Sequence, residues 1–294
     1  MGFPLIHYLY PSGLPKYLYQ NERGENSWAL VTGSSDGIGL ALCDELSSRG
    51  FNVVLHGRNQ AKLDRCREDL ERKHPKQSFR TVAADATKFT TEDIQRMVAA
   101  VADVPLTMLV NNVGGTAALH TNFFPFEDTS PEEMEALFRM NVQFPMQLTN
   151  ALLPRFMAMP TPTLILNHGS MAQYGSAWMA AYAGCKAAVH AWSRSLAAEQ
   201  IDAKTKVEVL LCMIGGTYTQ QLQSDPNFKA GRFMPHAETM AKSILARVGH
   251  GHRTVVPYFW HWVQVRPLYA LLPYSTVDDI LAGIMKQSVV RLEK

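Results

Sequence analysis

Tyr182 and Lys186 stand four positions apart in the stretch Met179-Ala-Ala-Tyr-Ala-Gly-Cys-Lys-Ala-Ala-Val189. On a helix that spacing puts both side chains on one face, about one turn from each other. An ammonium beside a phenol favours the phenolate. The expectation is therefore a tyrosine drawn below its free pKa of about 10 and able to trade a proton near neutrality. The chemistry implied is proton transfer at an oxygen. The same pair arises by chance in many helices, so its meaning depends on what the rest of the chain places around it.

A second stretch, Thr32-Gly-Ser-Ser-Asp-Gly-Ile-Gly39, lies between an apolar run and a helical pattern. Gly33 permits a tight turn, Gly37 lets backbone approach a pyrophosphate, and Gly39 lets helix and strand pack closely. The helix that begins here offers free N–H groups and positive potential to phosphates. Ser34, Ser35, Asp36 and Ile38 complete the loop, and all seven residues from Gly33 to Gly39 are candidate cofactor contacts. The strand–turn–helix context separates this motif from a chance run of glycines.

The elements that must hold these residues alternate regularly. Short apolar runs at 28–32, 52–56, 80–84, 106–110, 163–167 and 207–213 read as buried strands. Helical patterns fall at 38–49, closed by Gly50, at 60–73 and at 91–101, followed by a helix seeded by Ser130-Pro131 and a long helix running to about Met157. The segment carrying Tyr182 is a further helix. Such alternation predicts an α/β fold, a Rossmann-type doubly wound parallel sheet with helices on both faces, in a single domain over residues 28–256. Residues 1–27 read as an N-terminal arm. Thr254-Val-Val256 is positioned to close the sheet, and residues 257–294 form an aromatic-rich, irregular C-terminal extension in which Pro267 and Pro273 prevent one continuous helix.

Composition narrows the classes. The 294 residues are 47% hydrophobic and 18% charged, with 28 basic and 26 acidic side chains, which is ordinary for an enzyme and gives no basic surplus for nucleic acid. Cys43, Cys66, Cys185 and Cys212 are scattered, so they read as reduced intracellular thiols, and the ten histidines show no ligand spacing, so no metal is expected. No apolar run is long enough to span a bilayer. The apolar opening residues are interrupted by Pro4 and His7. They are expected to dock on the body of the protein or rest at a membrane surface, not to act as a signal peptide.

The order Thr-Gly-x-x-x-Gly-x-Gly, Asn111-Asn-Val-Gly114, a strand ending at Ser170, then Tyr182-x-x-x-Lys186 resembles the short-chain dehydrogenase/reductases from about Trp28 to Val256. Trp28-Ala-Leu-Val-Thr-Gly, Ser35-Asp-Gly-Ile-Gly39 and Leu14-Pro-Lys-Tyr-Leu18 are similar to the 17β-hydroxysteroid dehydrogenase and very-long-chain 3-oxoacyl-CoA reductase branch. Members of that branch usually carry an N-terminal membrane segment, which this chain is expected to lack or to keep only as its first ten residues. The resemblance implies that Tyr182 protonates a carbonyl oxygen as hydride arrives at carbon. Lys186 would hold the nicotinamide ribose and lower the tyrosine pKa, and Ser170, 12 positions before Tyr182, would hydrogen-bond the carbonyl oxygen. Ser176 lies too near Tyr182 for that part. Asn141 matches the member whose backbone positions a relay water.

On the cofactor side, the resemblance implies that Asp85 contacts adenine, against the alternative of a turn or capping aspartate. Asn111 and Gly114 would line the adenosine ribose. Gly57 stands where NAD enzymes place an acidic residue, and Arg58 follows it, which favours NADP(H) through a pair with the 2′-phosphate. After the sixth strand, Ile214-Gly-Gly-Thr-Tyr-Thr219 keeps Gly215 and Thr219 but has Ile214 where the family has proline. Gly215, Thr217 and Thr219 are the nicotinamide-side candidates, on a loop expected to be more mobile for want of that proline. The implied activity is NADPH-dependent reduction of an apolar ketone (steroid, 3-oxoacyl thioester or secondary-metabolite-like), or the reverse. A non-catalytic NADP-binding sensor or scaffold is the alternative. Further expectations are a small apolar substrate lying among the loops 116–125 and 220–235, and a homo-oligomer, dimer or tetramer, formed through the helices near Gln143 and Ala187. The expected location is cytoplasmic, with peripheral contact at the endoplasmic reticulum membrane as a further possibility.

Overall fold

Each run read as a strand enters one sheet in the computed structural model, which describes residues 5–223, 228–286 and 289. The chain runs β1 (Trp28–Val31), α1 (Gly37–Ser48), β2 (Asn52–Gly57), α2 (Gln60–Lys73), β3 (Phe79–Ala83), α3 (Thr91–Ala99) and β4 (Leu106–Asn111). After β4 come α4 (Pro131–Phe138), α5 (Phe144–Met157), β5 (Thr163–Ser170), α6 (Ala180–Asp202) and β6 (Val207–Ile214). Then follow α7 (Gln220–Gln223), α8 (Ala237–Leu245), β7 (Thr254–Val255), α9 (Phe259–Leu271) and α10 (Tyr274–Met285). The strands pair in parallel in the order β3-β2-β1-β4-β5-β6-β7. β2 and β4 are buried at every position, as strands covered by helices on both faces must be.

The strand order reverses between β1 and β4. Chain leaving the two strand ends there diverges to opposite faces and opens a crevice, where ligands of such sheets lie. Both the Gly-rich loop after β1 and the Asn111–Gly114 turn after β4 border it. One apolar layer, with Leu42, Leu46, Met240 and Ile244, packs on one face of the sheet. The other face is covered by a layer with Met97, Phe144, Leu148 and Phe156. Helix starts obey local chemistry. Thr90 with Asp93, and Ser130 with Glu133, form capping boxes on α3 and α4, and Pro131 opens α4.

The two helices expected between Ser130 and about Met157 are α4 and α5, joined by a π-helical stretch, Arg139–Gln143. Two features depart from the sequence reading. The extension expected to be irregular folds as α9 and α10. Pro273 caps α10, while Pro267 is accommodated inside α9. α8, which pairs closely with α1, was not anticipated, although Ala237, Met240, Ala241 and Ile244 trace its buried stripe. The arm docks on the body. Leu14 and Tyr17 are buried in the core, and the Tyr17 hydroxyl donates to Glu208 at 2.6 Å. Residues 1–4 lie outside the described residues, so the expectation for the opening residues is addressed only from Leu5 onward.

Candidate functional site

β5 ends at Ser170 and the chain makes one short 3-10 turn, Met171–Tyr174, before α6 begins. The Ser170 hydroxyl accepts the Ala172 N–H at 3.1 Å, which fixes its rotamer at the turn. That hydroxyl stands near the Tyr182 phenol of the first turn of α6 and eases its ionisation. One turn on, the Lys186 ammonium donates to the His168 carbonyl at 2.9 Å and lies 5.7 Å from the Tyr182 ring centre. Ser170, Tyr182 and Lys186 therefore converge as the sequence spacing suggests.

The electrostatics run against one expectation. Tyr182 keeps part of its surface open. Even so, the protein packed around its hydroxyl pushes the phenol up to about 12, and the Ser170 hydroxyl only partly opposes this. Burial pulls Lys186 down to about 8 and, with the Lys186 charge, His168 down to about 3. In both groups desolvation of the charged form is the dominant cause. Tyr182 thus holds its proton at neutral pH and is set to donate it.

Asn141 lies in the π-helical stretch, buried at 2% exposure. Its Oδ1 accepts the Gly115 N–H at 2.9 Å, and its Nδ2 donates to the carbonyls of Gly115 and Leu137, each at 3.0 Å. A methyl group at Gly114 would fall 2.8 Å from Asn141 Oδ1 and 3.2 Å from Lys186 Nζ. The turn after β4, the π turn and α6 therefore meet at the lysine. Widened turns of this kind recur at functional sites. A polar residue in an apolar helical pattern was the signal for Asn141, and no local signal marked the π turn.

On the cofactor side the Gly-rich loop is compact. A methyl at Gly39 would lie 2.2 Å from the Gly33 carbonyl oxygen, so only glycine allows this approach of helix to loop. Asn112, not singled out from the sequence, holds the loop by donating Nδ2 to the carbonyls of Thr32 and Gly33 at 2.7 and 2.9 Å. Asn111, expected to line the adenosine ribose, is turned into the interior. Its Nδ2 donates to Thr149 Oγ1 at 2.9 Å and Asn167 Oδ1 at 2.8 Å, tying β4 to α5 and β5. Adjacent residues leaving a strand face opposite sides, and Asn111 takes the inward one.

The Ser34 side chain is likewise committed inward, its hydroxyl accepting the His56 N–H at 2.9 Å. Asp36 caps α1 by accepting the Gly37 N–H at 2.7 Å and pairs with Lys62 at 2.8 Å. Ser35 lies beside Gly57, and Arg58 stands exposed at the end of β2. Asp85 makes the turn that was its alternative reading, accepting the Thr87 N–H at 3.0 Å and the Thr87 hydroxyl at 2.8 Å. Partial burial works to raise its pKa, but those bonds and the charges of Arg58 and Lys88 hold it below the usual carboxylate range. Arg58 and Asp85 thus flank one edge of the crevice.

At the other edge, Thr219 packs against Gly37, 3.3 Å from where a side chain there would begin, and Thr217 donates to the Gly215 carbonyl at 3.2 Å. The loop expected to be loose for want of a proline at Ile214 is held by a histidine from α9: Gly215 N–H donates to His261 Nδ1 at 3.2 Å. Gly37, at the first turn of α1, thus meets Thr219 across the crevice. The α1 N-terminus there offers free N–H groups and positive potential that suit a pyrophosphate.

The extension covers the turn between β5 and α6. Trp178 sits at φ 65°, unusual for a bulky residue, and its indole N–H donates to the Ala282 carbonyl at 3.2 Å. Tyr174 meets Tyr269 at 4.9 Å between ring centres. α9 and α10 therefore form an apolar wall over the segment between Ser170 and Tyr182.

A family model described as short chain dehydrogenase matches residues 27–229. The very-long-chain 3-oxoacyl-CoA reductase of Lodderomyces elongisporus is 30% identical over 259 residues, 84% of this chain and 71% of that protein. The protein of the same name from Neurospora crassa is 29% identical over 271 residues, 92% of this chain and 77% of its own. Among solved structures, a short-chain dehydrogenase from Sphingobium yanoikuyae in complex with NADPH superposes with a TM-score of 0.69. It is 22% identical, covering 91% of this chain and 98% of that one.

Proposed function

Because the chain belongs to the short-chain dehydrogenase/reductases, and is thus an oxidoreductase, we propose that it is an NADPH-dependent ketoreductase acting on an apolar ketone, with 3-oxoacyl thioesters the leading substrate class. The observation that carries this reading is the convergence of Ser170 and Tyr182, with Lys186 anchored one turn away on the His168 carbonyl. The names of the relatives support the thioester, and the apolar wall of α9 and α10 supports a bulky substrate. Those relatives are named as reductases, which leaves the non-catalytic alternative without support.

A bound nicotinamide supplies hydride to the carbonyl carbon. Ser170 donates a hydrogen bond to the carbonyl oxygen, where negative charge develops. Tyr182, which keeps its proton, delivers it to that oxygen. The Lys186 ammonium then offsets the charge left on the phenolate. Asn141 keeps the turn after β4 pressed against the lysine. NADPH oxidation should be followed with 3-oxoacyl-CoA substrates of increasing length, bulky steroid ketones and short ketones. Turnover rising with acyl length supports the reading. NADPH binding with no turnover across the panel would return the protein to the sensor class.

Reduction needs both the phenol and the ammonium protonated, and the ammonium, at about 8, loses its proton first. At saturating NADPH, kcat/KM for the ketone should therefore be flat below neutrality and decline as pH rises through about 8. Lys186→Met should be slow and show no such decline. An unchanged alkaline limb in that variant would remove Lys186 as the titrating group.

Cofactor choice rests on Gly57 and Arg58. A charge-assisted bond from an exposed arginine to the 2′-phosphate favours NADPH over NADH by about tenfold, the lower end for such bonds. Gly57→Asp with Arg58→Ala should reverse the preference. Equal kcat/KM for the two cofactors in the wild type would defeat this assignment.

Among the described residues no helix is long and apolar enough to cross a membrane. A cytoplasmic protein with peripheral contact at the endoplasmic reticulum fits the exposed Leu271, Tyr274 and Ile284 of the extension. A homo-oligomer through α5 and α6 fits the exposed Met146 and Ile201.

A further inference from the structure

His261 is the one polar side chain of α9 that is fully buried, at 0% exposure. It reaches back from the C-terminal extension to the chain leaving β6. Its Nδ1 accepts the Gly215 N–H at 3.2 Å, so the ring proton is on Nε2, which lies 3.1 Å from the Gly216 carbonyl and 3.2 Å from the Phe233 carbonyl. Burial lowers the imidazole pKa, in keeping with this neutral form. Both ends of the loop between β6 and α8 are therefore held by one ring. A methyl at Gly215 would come within 2.8 Å of the imidazole, so the contact is close as well as polar.

That loop carries Thr217 and Thr219, and Thr219 is the residue packed against Gly37 of the Gly-rich loop. Whatever fixes Gly215 and Gly216 thus fixes the distance across the crevice at its Thr219 edge. From these contacts we propose that His261 is a positioning residue for the nicotinamide end of the cofactor, taking the place of the backbone constraint that a proline at position 214 would provide. This rests on the cofactor-dependent reading above. His261 acts through Gly215, Gly216 and Thr219, and it makes the extension part of the cofactor site.

The test compares two ligands on purified full-length protein: NADPH, and 2′-phospho-ADP-ribose, which lacks the nicotinamide. His261→Phe keeps an aromatic ring in the pocket and removes both hydrogen-bonding nitrogens. Its Kd for NADPH, read by fluorescence, should rise roughly tenfold, the order expected when a buried donor loses its acceptor. Its Kd for 2′-phospho-ADP-ribose should stay at the wild-type level. His261→Asn, whose Oδ1 again offers an acceptor to the Gly215 N–H, should recover much of the NADPH affinity. Unchanged NADPH affinity in folded His261→Phe, or equal weakening of both ligands, would overturn the positioning role. Wild-type protein that binds neither ligand would overturn the cofactor reading itself. If His261→Phe does not fold, the same pair of titrations on His261→Gln decides between these outcomes.

Discussion

Tyr182→Phe should bind NADPH with near wild-type affinity and lose nearly all ketone reduction. Phenylalanine fills the same space on α6, and the Lys186 bond to the His168 carbonyl does not involve the lost hydroxyl. What disappears is the proton donor and its contact with Ser170. A positioned general acid contributes about 10²- to 10⁴-fold, or roughly 3–5 kcal/mol of barrier. The effect should fall on kcat, because the bond matters most as charge develops on the carbonyl oxygen. Burial strengthens the case: a phenol raised to about 12 is protonated throughout the working range. A variant retaining more than about a tenth of wild-type kcat would remove Tyr182 from the role.

Truncation before Tyr258 should abolish cooperative folding, the largest stability effect expected of any change here. Its contacts make the aromatic tail part of the packed body. His261 and Val277 are fully buried, Tyr258 packs against the core and Trp262 against the cluster under α6. Losing the burial of Val277 alone costs about 1.5–3 kcal/mol. Cutting the tail also uncovers Val255 and Val256 and strips Gly215 of its acceptor. Against a typical margin of about 5–15 kcal/mol, losses of this kind leave little. Circular dichroism and thermal melts on the truncated chain check the expectation. A truncated protein that melts cooperatively, binds NADPH and fails only with bulky ketones would make the tail a lid, with its packing incidental.

Sequence alone determined the frame of this protein. Strand positions were legible because a strand buried on both faces must be continuously apolar, and because Gly50, Pro131 and the Ser and Thr caps punctuate helices by local chemistry. The turn after β1 was legible from Gly33, Gly37 and Gly39, and the pairing of Tyr182 with Lys186 on one face from the four-residue period of a helix. Each of these signals spans a few residues, so no long-range contact was needed to read it.

Only the tertiary structure decided the rest. Whether Asn111 or Asn112 braces the Gly-rich loop depends on which way each leaves the end of β4, a one-residue matter of facing that composition does not encode. The direction of the Tyr182 shift depends on how much protein surrounds its hydroxyl, and desolvation there is the dominant cause, which a lysine four positions along the sequence does not reveal. The missing proline at Ile214 read as looseness because its substitute lies far along the chain. His261 reaches Gly215 only once α9 packs back against the end of β6, so the restraint exists in the fold and not in any stretch of sequence around the loop.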